Sequence, residues 1–279
     1  MIDPQILNEV KKWFAGYLRD FSSQDVDLQQ NISLKAGHTK RVCQEILQLG
    51  QKLELDPGEL HFAELTALLH DIGRFEQYRR YGTFVDRQSV NHAQLGVEIV
   101  QRQQVLSRLD VVLNDLVLRV ISYHNRAALP EQESATCLFF SQLLRDADKL
   151  DIWRVVTDYY RRKDFASNSA IELGLPDLPL VTSAVTDDLL AGKIVDFNNL
   201  QTLNDFKMLQ IGWVFDLNFA PSFQRLREKD YLTMIRNTLP ETAAVNAVFA
   251  SVGAQLIWGC AHAPNTAPEE HRRSLSNFF

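Results

Sequence analysis

The chain has 279 residues, of which 46% are apolar, 10% aromatic and 23% charged, which excludes a disordered or collagen-like chain and permits a sizeable core. A net charge of −6 and a pI near 5.7 supply no basic field for a phosphate backbone, so polymeric nucleic acid is not expected as a partner and any phosphate site must be local. The three cysteines, Cys43, Cys137 and Cys260, are too few for a disulfide framework and form no CxxC pair, which fits a reducing compartment.

The N-terminal MIDPQILNEVKKWF has no signal-peptide h-region, and no apolar run is read as approaching the roughly 20 residues of a membrane span. The expected location is therefore cytoplasmic, with no membrane partner. Apolar spacing is helical almost throughout, which predicts an all-α protein. From Ser33 one helix runs through LKAGHTKRVCQEILQLGQKLEL to the turn at Asp56-Pro57-Gly58, and LHFAELTALLH forms the next. A connection, RFEQYRRYGTFVDRQSV, is long enough to be functional and leads to NHAQLGVEIVQRQQVL, with Asn91 as its N-cap. After DVVLNDLVLRVISYHNR and a break at Leu129-Pro130 comes the long ATCLFFSQLLRDADKLDIWRVVTDYYRR, which has no Gly or Pro.

A Pro-containing stretch near 172 to 182 shifts the composition, and helical patterns resume in DDLLAGKIVDF, LNDFKMLQIGWVFDL and TAAVNAVFASVGAQLIW. The expected division is a bundle over 1–175 and a C-terminal helical extension over 176–279. The apolar faces around Leu209, Ile211, Trp213, Val214 and Phe215 predict that this extension packs on the bundle as part of one globular unit. The last segment, AHAPNTAPEEHRRSLSNFF, is polar and is expected to be loosely held.

Four of the seven histidines occupy helical positions whose neighbours a turn away are apolar. His38 shares a face with Val42 and Ile46, His92 with Leu95 and Ile99, and His124 with Val117 and Val120, while His70 ends an apolar run and precedes Asp71. A single histidine on such a face is ordinarily a hydrogen-bonded core residue. Four from four different helices need a common explanation. The segment RDADKLD adds Asp146, Asp148 and Asp151 among Leu143, Leu144, Leu150, Ile152 and Trp153. A buried carboxylate is costly unless it is paired or binds a metal, and neutral imidazoles with carboxylates suit Zn, Fe, Mn or Ni. The competing reading of this segment is a solvated acidic stripe paired with Arg145 and Lys149.

The runs GHTKRV, LLHDIGRFE, NHAQLGVEIV, ISYHN and DADKLD, in this order over residues 33 to about 160, resemble the HD-domain metal-dependent phosphohydrolase superfamily. The resemblance implies a helical bundle in which His38, His70, Asp71 and Asp148 hold one metal. Asp148 is preferred to Asp146 because the family ligand stands just before a basic residue, here Lys149. His92 and His124 extend the likeness to members with six ligands, where Asp71 would bridge two metal positions. The chain has NRAALPE after His124 in place of the GYP signature of HD-GYP phosphodiesterases, so cyclic-dinucleotide specificity is not carried over.

On this resemblance the chain is expected to hydrolyse a small phosphate ester, a nucleotide or related phosphomonoester or phosphodiester. One or two divalent ions (Mn, Fe, Ni, Zn or Co) would act as cofactor, with Asp71, Arg74 and Lys149 in catalytic roles. Arg74 stands where many members carry a lysine and is a candidate for substrate phosphate, while Lys149 would neutralise developing charge. The same ligand pattern resembles the HD-fold diiron oxygenases, and a non-catalytic metal- or nucleotide-binding sensor is the third reading. A homodimer is compatible with the remaining apolar surface.

Overall fold

The computed structural model describes residues 2–161 and 168–271, and among these the chain is all-α, with no strand. It divides into two compact units, Met1–Asp148 with Thr266–Phe279, and Lys149–Asn265. The expected boundary at 175 is therefore not where the contacts divide. The composition shift at 172 to 182 marks an exposed connection, whereas compactness follows buried faces. Trp153, fully buried, donates its indole N–H to the Gln210 carbonyl at 2.9 Å and so belongs with the later helices.

The first unit contains α1 (Pro4–Arg19), α2 (Val26–Lys52), α3 (Pro57–Leu69), α4 (Ile72–Tyr81), α5 (His92–Arg102), α6 (Val111–Tyr123) and the N-terminal half of α7 (Ala135–Tyr160). Short polar side chains start these helices by accepting orphan N–H groups: Asp25 from Leu28, Asn91 from Gln94, and Asp110 from Val112 and Leu113. Helix α3 has a reciprocal capping box, with the Asp56 carboxylate on the Glu59 N–H at 2.8 Å and the Glu59 carboxylate on the Asp56 N–H at 2.7 Å. Half of the expected connection between the second and third sequence-predicted helices is itself helical, as α4. It ends at Gly82, whose φ of +62° is the left-handed conformation that glycine adopts without strain.

Helix α2 packs on α3 and α4, α4 on α5, and α5 on α6. The α4–α5 crossing is unusually close. A Cβ on Gly73 would lie 2.1 Å from the His92 carbonyl oxygen, so only glycine fits there, and the backbone contact draws the start of α5 onto the start of α4.

The described part of the C-terminal segment is packed, against expectation. The Ala267 N–H reaches the Leu53 carbonyl at 3.4 Å, and the buried His271 stacks on Phe139 with ring centroids 4.2 Å apart. Its Nε2 lies 2.9 Å from the Glu59 carboxylate, so the segment ends on the cap of α3. The rest of the expected loose tail, 272–279, lies outside the described residues, as does Arg162 at the end of the expected long helix.

The second unit holds the C-terminal part of α7 with α8 (Ser169–Glu172), α9 (Ser183–Leu190), α10 (Leu203–Gly212), α11 (Ala220–Lys229), α12 (Tyr231–Arg236) and α13 (Ala243–His262). Helix α13 packs on α9 and α11 through Val245, Val248, Val252 and Gly259. It corrects one expectation. Its 20 residues are long and apolar enough to cross a membrane by length and composition. Ala, Gly, Ser, Asn and Gln dilute the pattern, so the segment does not read as an apolar run although it carries no Asp, Glu, Lys or Arg.

Candidate metal centre

His70 and Asp71 occupy the junction between α3 and α4, where His70 still has helical backbone angles and Asp71, at φ −102° and ψ 14°, breaks the helix. The break turns the Asp71 side chain into the unit's interior, where it is 3% exposed. His38 comes from the middle of α2, His92 from the first residue of α5, His124 from the end of α6 and Asp148 from α7.

These six side chains converge. Asp71 Oδ2 lies 3.6 Å from His38 Nε2 and 3.8 Å from His70 Nε2, while Asp148 Oδ1 lies 3.0 Å and 3.8 Å from the same two nitrogens. The other oxygen, Asp71 Oδ1, lies 3.4 Å from His92 Nε2 and 3.7 Å from His124 Nε2. The donor atoms of His38, His70 and Asp71, and likewise those of Asp71, His92 and His124, lie within 4.8 Å of one another. Ligands bonded to one ion at about 2.0–2.2 Å stand roughly 3–3.5 Å apart, so the spacing suits two ion positions that share Asp71.

Hydrogen bonding on the far side of each ring decides which nitrogen carries the proton. His70 Nδ1 donates to the Ala67 carbonyl and His124 Nδ1 to the Ile121 carbonyl, both at 2.7 Å, and His92 Nδ1 donates to the two oxygens of Asp86 at 2.9 and 2.8 Å. In the neutral ring each Nε2 is then a bare lone pair. His92 Nε2 and His124 Nε2 nevertheless face each other at 2.9 Å, and His70 Nε2 is buried with no hydrogen-bond partner. Such an arrangement of lone pairs and carboxylates is repulsive unless a proton or a cation lies among them.

Protonation is disfavoured at neutral pH. Burial pulls the His70 pKa down to about 4, against the pull of Asp71 and Asp148. Burial and then the Arg74 charge take His92 to about 3. For Asp71, burial raises the pKa, but the neighbouring charges, Lys35 first and Arg74 among them, outweigh it and hold the carboxyl well below its usual range. Asp148 is likewise held low by His38 and His70 in spite of its burial. Neutral imidazoles facing anionic carboxylates are the state a divalent transition metal requires, and these residues fit one.

Of the residues expected to act besides the ligands, Arg74 is not a surface arginine. Its NH1 contacts Asp86 at 3.0 Å, the Phe84 carbonyl at 2.5 Å and Gln77 at 2.9 Å, while its Nε is 3.5 Å from Asp71 Oδ1. Lys149 lies in the second unit, with its ammonium 2.7 Å from Asp216. Two residues the motifs do not reveal complete the surroundings. Lys35, one turn before His38 on the same helix face, puts its ammonium 2.8 Å from Asp71 Oδ2. Asp86 orients His92 and itself accepts from Gln77 and Asn125 at 2.9 and 3.1 Å. The connection marked as long enough to be functional contains Asp86; nothing in its local sequence separates that acid from a solvated one.

Carboxylate partners of metal-bound histidines typically contribute 10–100-fold to affinity or activity. Asp86→Asn is therefore expected to weaken metal binding at the His92 and His124 position by about that factor and leave the His38 and His70 position loaded. Metal content by mass spectrometry against dialysis concentration checks this, and unchanged occupancy at both positions would exclude an orienting role for Asp86.

Residues 36–153 match the family model of the HD domain, whose members are generally metal-dependent hydrolases. All six converging side chains lie inside that span. A solved structure, a predicted HD superfamily hydrolase from an uncultured Thermotogales bacterium, is 24% identical, with 61% of this chain and 80% of that one covered and a TM-score of 0.35. No curated protein matches the chain.

Proposed function

We propose, from the premise that residues 36–153 of this chain are an HD domain, that it is a metal-dependent phosphohydrolase acting on a small phosphate ester, a nucleotide or related phosphomonoester or phosphodiester. The observation that carries this reading is the pair of bare imidazole nitrogens, His92 Nε2 and His124 Nε2, facing each other at 2.9 Å beside an anionic carboxylate. His38, His70, Asp71 and Asp148 would hold one ion and Asp71, His92 and His124 a second. When bound, Mn, Fe, Ni, Zn or Co supplies Lewis acidity toward a phosphoryl oxygen and brings the pKa of a water toward about 7.

The chain's own residues supply position and charge. The two Asp71 oxygens each have a cation, Lys35 beside Oδ2 and Arg74 beside Oδ1. Both are fixed: Arg74 is tied to Asp86 and the Phe84 carbonyl, and the Phe84 ring lies under both side chains, 5.3 Å from Lys35 Nζ and 5.8 Å from the Arg74 guanidinium carbon. Positive groups held in place in a partly desolvated site stabilise charge on a transferring phosphoryl group without reorganising. Lys35 thus supports the charge-neutralising role that the sequence pattern assigns to Lys149. With an overall charge of −6, an anionic substrate depends on these local cations.

The test is hydrolysis of nucleoside monophosphates and of bis(p-nitrophenyl) phosphate by the metal-stripped protein, with each of the five metals added back under air and under nitrogen. Metal-dependent hydrolysis that persists without dioxygen is expected. Turnover that requires dioxygen and iron would support the oxygenase reading, and full metal content with no turnover on the panel would support the sensor. In the same assay Arg74→Ala is expected to lower kcat/KM by roughly 10²-fold with the metal retained, and Arg74→Lys to recover part of it. Unchanged kinetics in Arg74→Ala would remove its phosphate-binding role.

A further inference from the structure

The second unit buries a cation that the metal centre does not use. Lys207, on α10, is 7% exposed, yet its ammonium has only two neutral acceptors, Asn204 Oδ1 at 3.4 Å and the Thr238 carbonyl at 3.3 Å. Both distances are beyond the usual range for an N–H···O bond. Among the described residues no carboxylate pairs with it. Asp177 and Glu172 act on it only through space, and burial lowers its pKa more than they raise it. The Tyr160 ring lies beneath the ammonium, 5.0 Å from Nζ to the ring centroid.

One turn further along α10, on the same face, stands Gln210, which is fully buried. Its Oε1 accepts from the Tyr160 hydroxyl at 3.1 Å, with Nε2 turned away from that bond. Gln210 Nε2 is buried with no hydrogen-bond partner. Asn204 turns its Nδ2 to the Leu178 carbonyl at 2.7 Å and its Oδ1 toward Lys207. The cluster therefore presents a poorly satisfied ammonium over the Tyr160 ring and an orphaned amide N–H beside the Tyr160 hydroxyl, with no anionic acceptor for either among the described residues. Buried donors in native proteins are rarely left so, and a buried charge without a counter-charge is rarer.

We propose that Lys207, Gln210 and Tyr160 form an oxyanion-binding site in the second unit, which takes the carboxylate or phosphate group of a small molecule. One oxygen of the ligand accepts from Lys207 Nζ and a second from Gln210 Nε2. The ring of Tyr160 closes one side, and its hydroxyl fixes the glutamine. A water would accept from either group but would leave the buried positive charge unbalanced. This site shares no residue with the metal centre, so it stands or falls independently of the hydrolase reading.

The experiment follows the thermal midpoint of the full chain against inorganic phosphate and, separately, acetate at constant ionic strength, in wild type, Lys207→Met and Gln210→Leu. Both substitutions approximate the buried volume: Lys207→Met removes the ammonium, and Gln210→Leu removes the amide donor together with the acceptor of the Tyr160 hydroxyl. A saturable rise of about 5 °C at roughly 100-fold excess over Kd is expected in wild type with at least one of the two anions, and its loss in both variants. A rise common to all three proteins belongs to another site, including the metal centre, and would overturn the proposal, as would a flat response in wild type. If the variants do not fold, selenate soaked into wild-type crystals decides: an anomalous peak within hydrogen-bond distance of Lys207 Nζ and Gln210 Nε2 is expected, and none there would overturn it.

Discussion

Asp71→Ala is expected to empty both ion positions and reduce hydrolysis to background. The reason is the division of its two oxygens, Oδ2 toward His38 and His70 and Oδ1 toward His92 and His124, which makes it the one side chain common to both candidate ligand groups. A histidine substitution differs. His124→Ala removes a donor from the second group only, so about half of the metal content should remain. Asp71→Ala also leaves Lys35 beside His38 and His70 without the carboxylate 2.8 Å away, which adds repulsion against any cation entering there. Asp71→Asn, of nearly the same shape, separates ligand loss from a packing defect and should be as inactive. Metal analysis with kinetics on these variants checks the expectation; full metal content with wild-type turnover in Asp71→Ala would remove this site from the chemistry.

Asp148→Ala should lose most of the metal at the His38 and His70 position, while Asp146→Asn keeps it. Asp148 Oδ1 is 3.0 Å from His38 Nε2, within the separation of two ligands on one ion, and is itself buried. Removing a ligand takes away a metal bond outright, whereas changes behind the ligands typically cost about 10–100-fold. Asp146 is also fully buried, so asparagine is used there to keep its volume and hydrogen bonding. The reverse order would move the ligand two residues back, to Asp146, and equal metal loss in the two variants would remove the distinction between them.

Helical spacing in the sequence sufficed for the all-α class, and the cap at Asn91 and the turn at Asp56-Pro57-Gly58 were legible because capping and turn chemistry are local to three or four residues, whereas the capping box at Asp56 was not read. Helix α4 was less so: its Arg- and Tyr-rich composition resembles a connection, and it is helical because Ile72, Phe75 and Tyr78 bury one face. The length of α13 was hidden for the opposite reason, since small and polar residues conceal a charge-free helix. The division of the chain within α7 follows the burial of Trp153 with Gln210, a long-range contact that composition does not encode.

At the site, His38, His70, His92 and His124 stood out because four imidazoles on apolar faces of different helices need a common explanation, and the order of the motif runs, by its resemblance to a known family, added Asp71 and Asp148. Their partners did not stand out. Lys35, Asp86 and Gln77 are ordinary surface-type residues whose roles come from helix packing, above all the Gly73 contact that sets His92 beside Asp71. The sequence by itself determined the helical class and placed histidines and aspartates on apolar helix faces, since periodicity and residue chemistry are local properties, while their reading as candidate ligands came from the resemblance to a known family. Only the tertiary structure decided which nitrogen of each ring is bare and which cation stands at each Asp71 oxygen, since those depend on backbone carbonyls and side chains brought in from other helices.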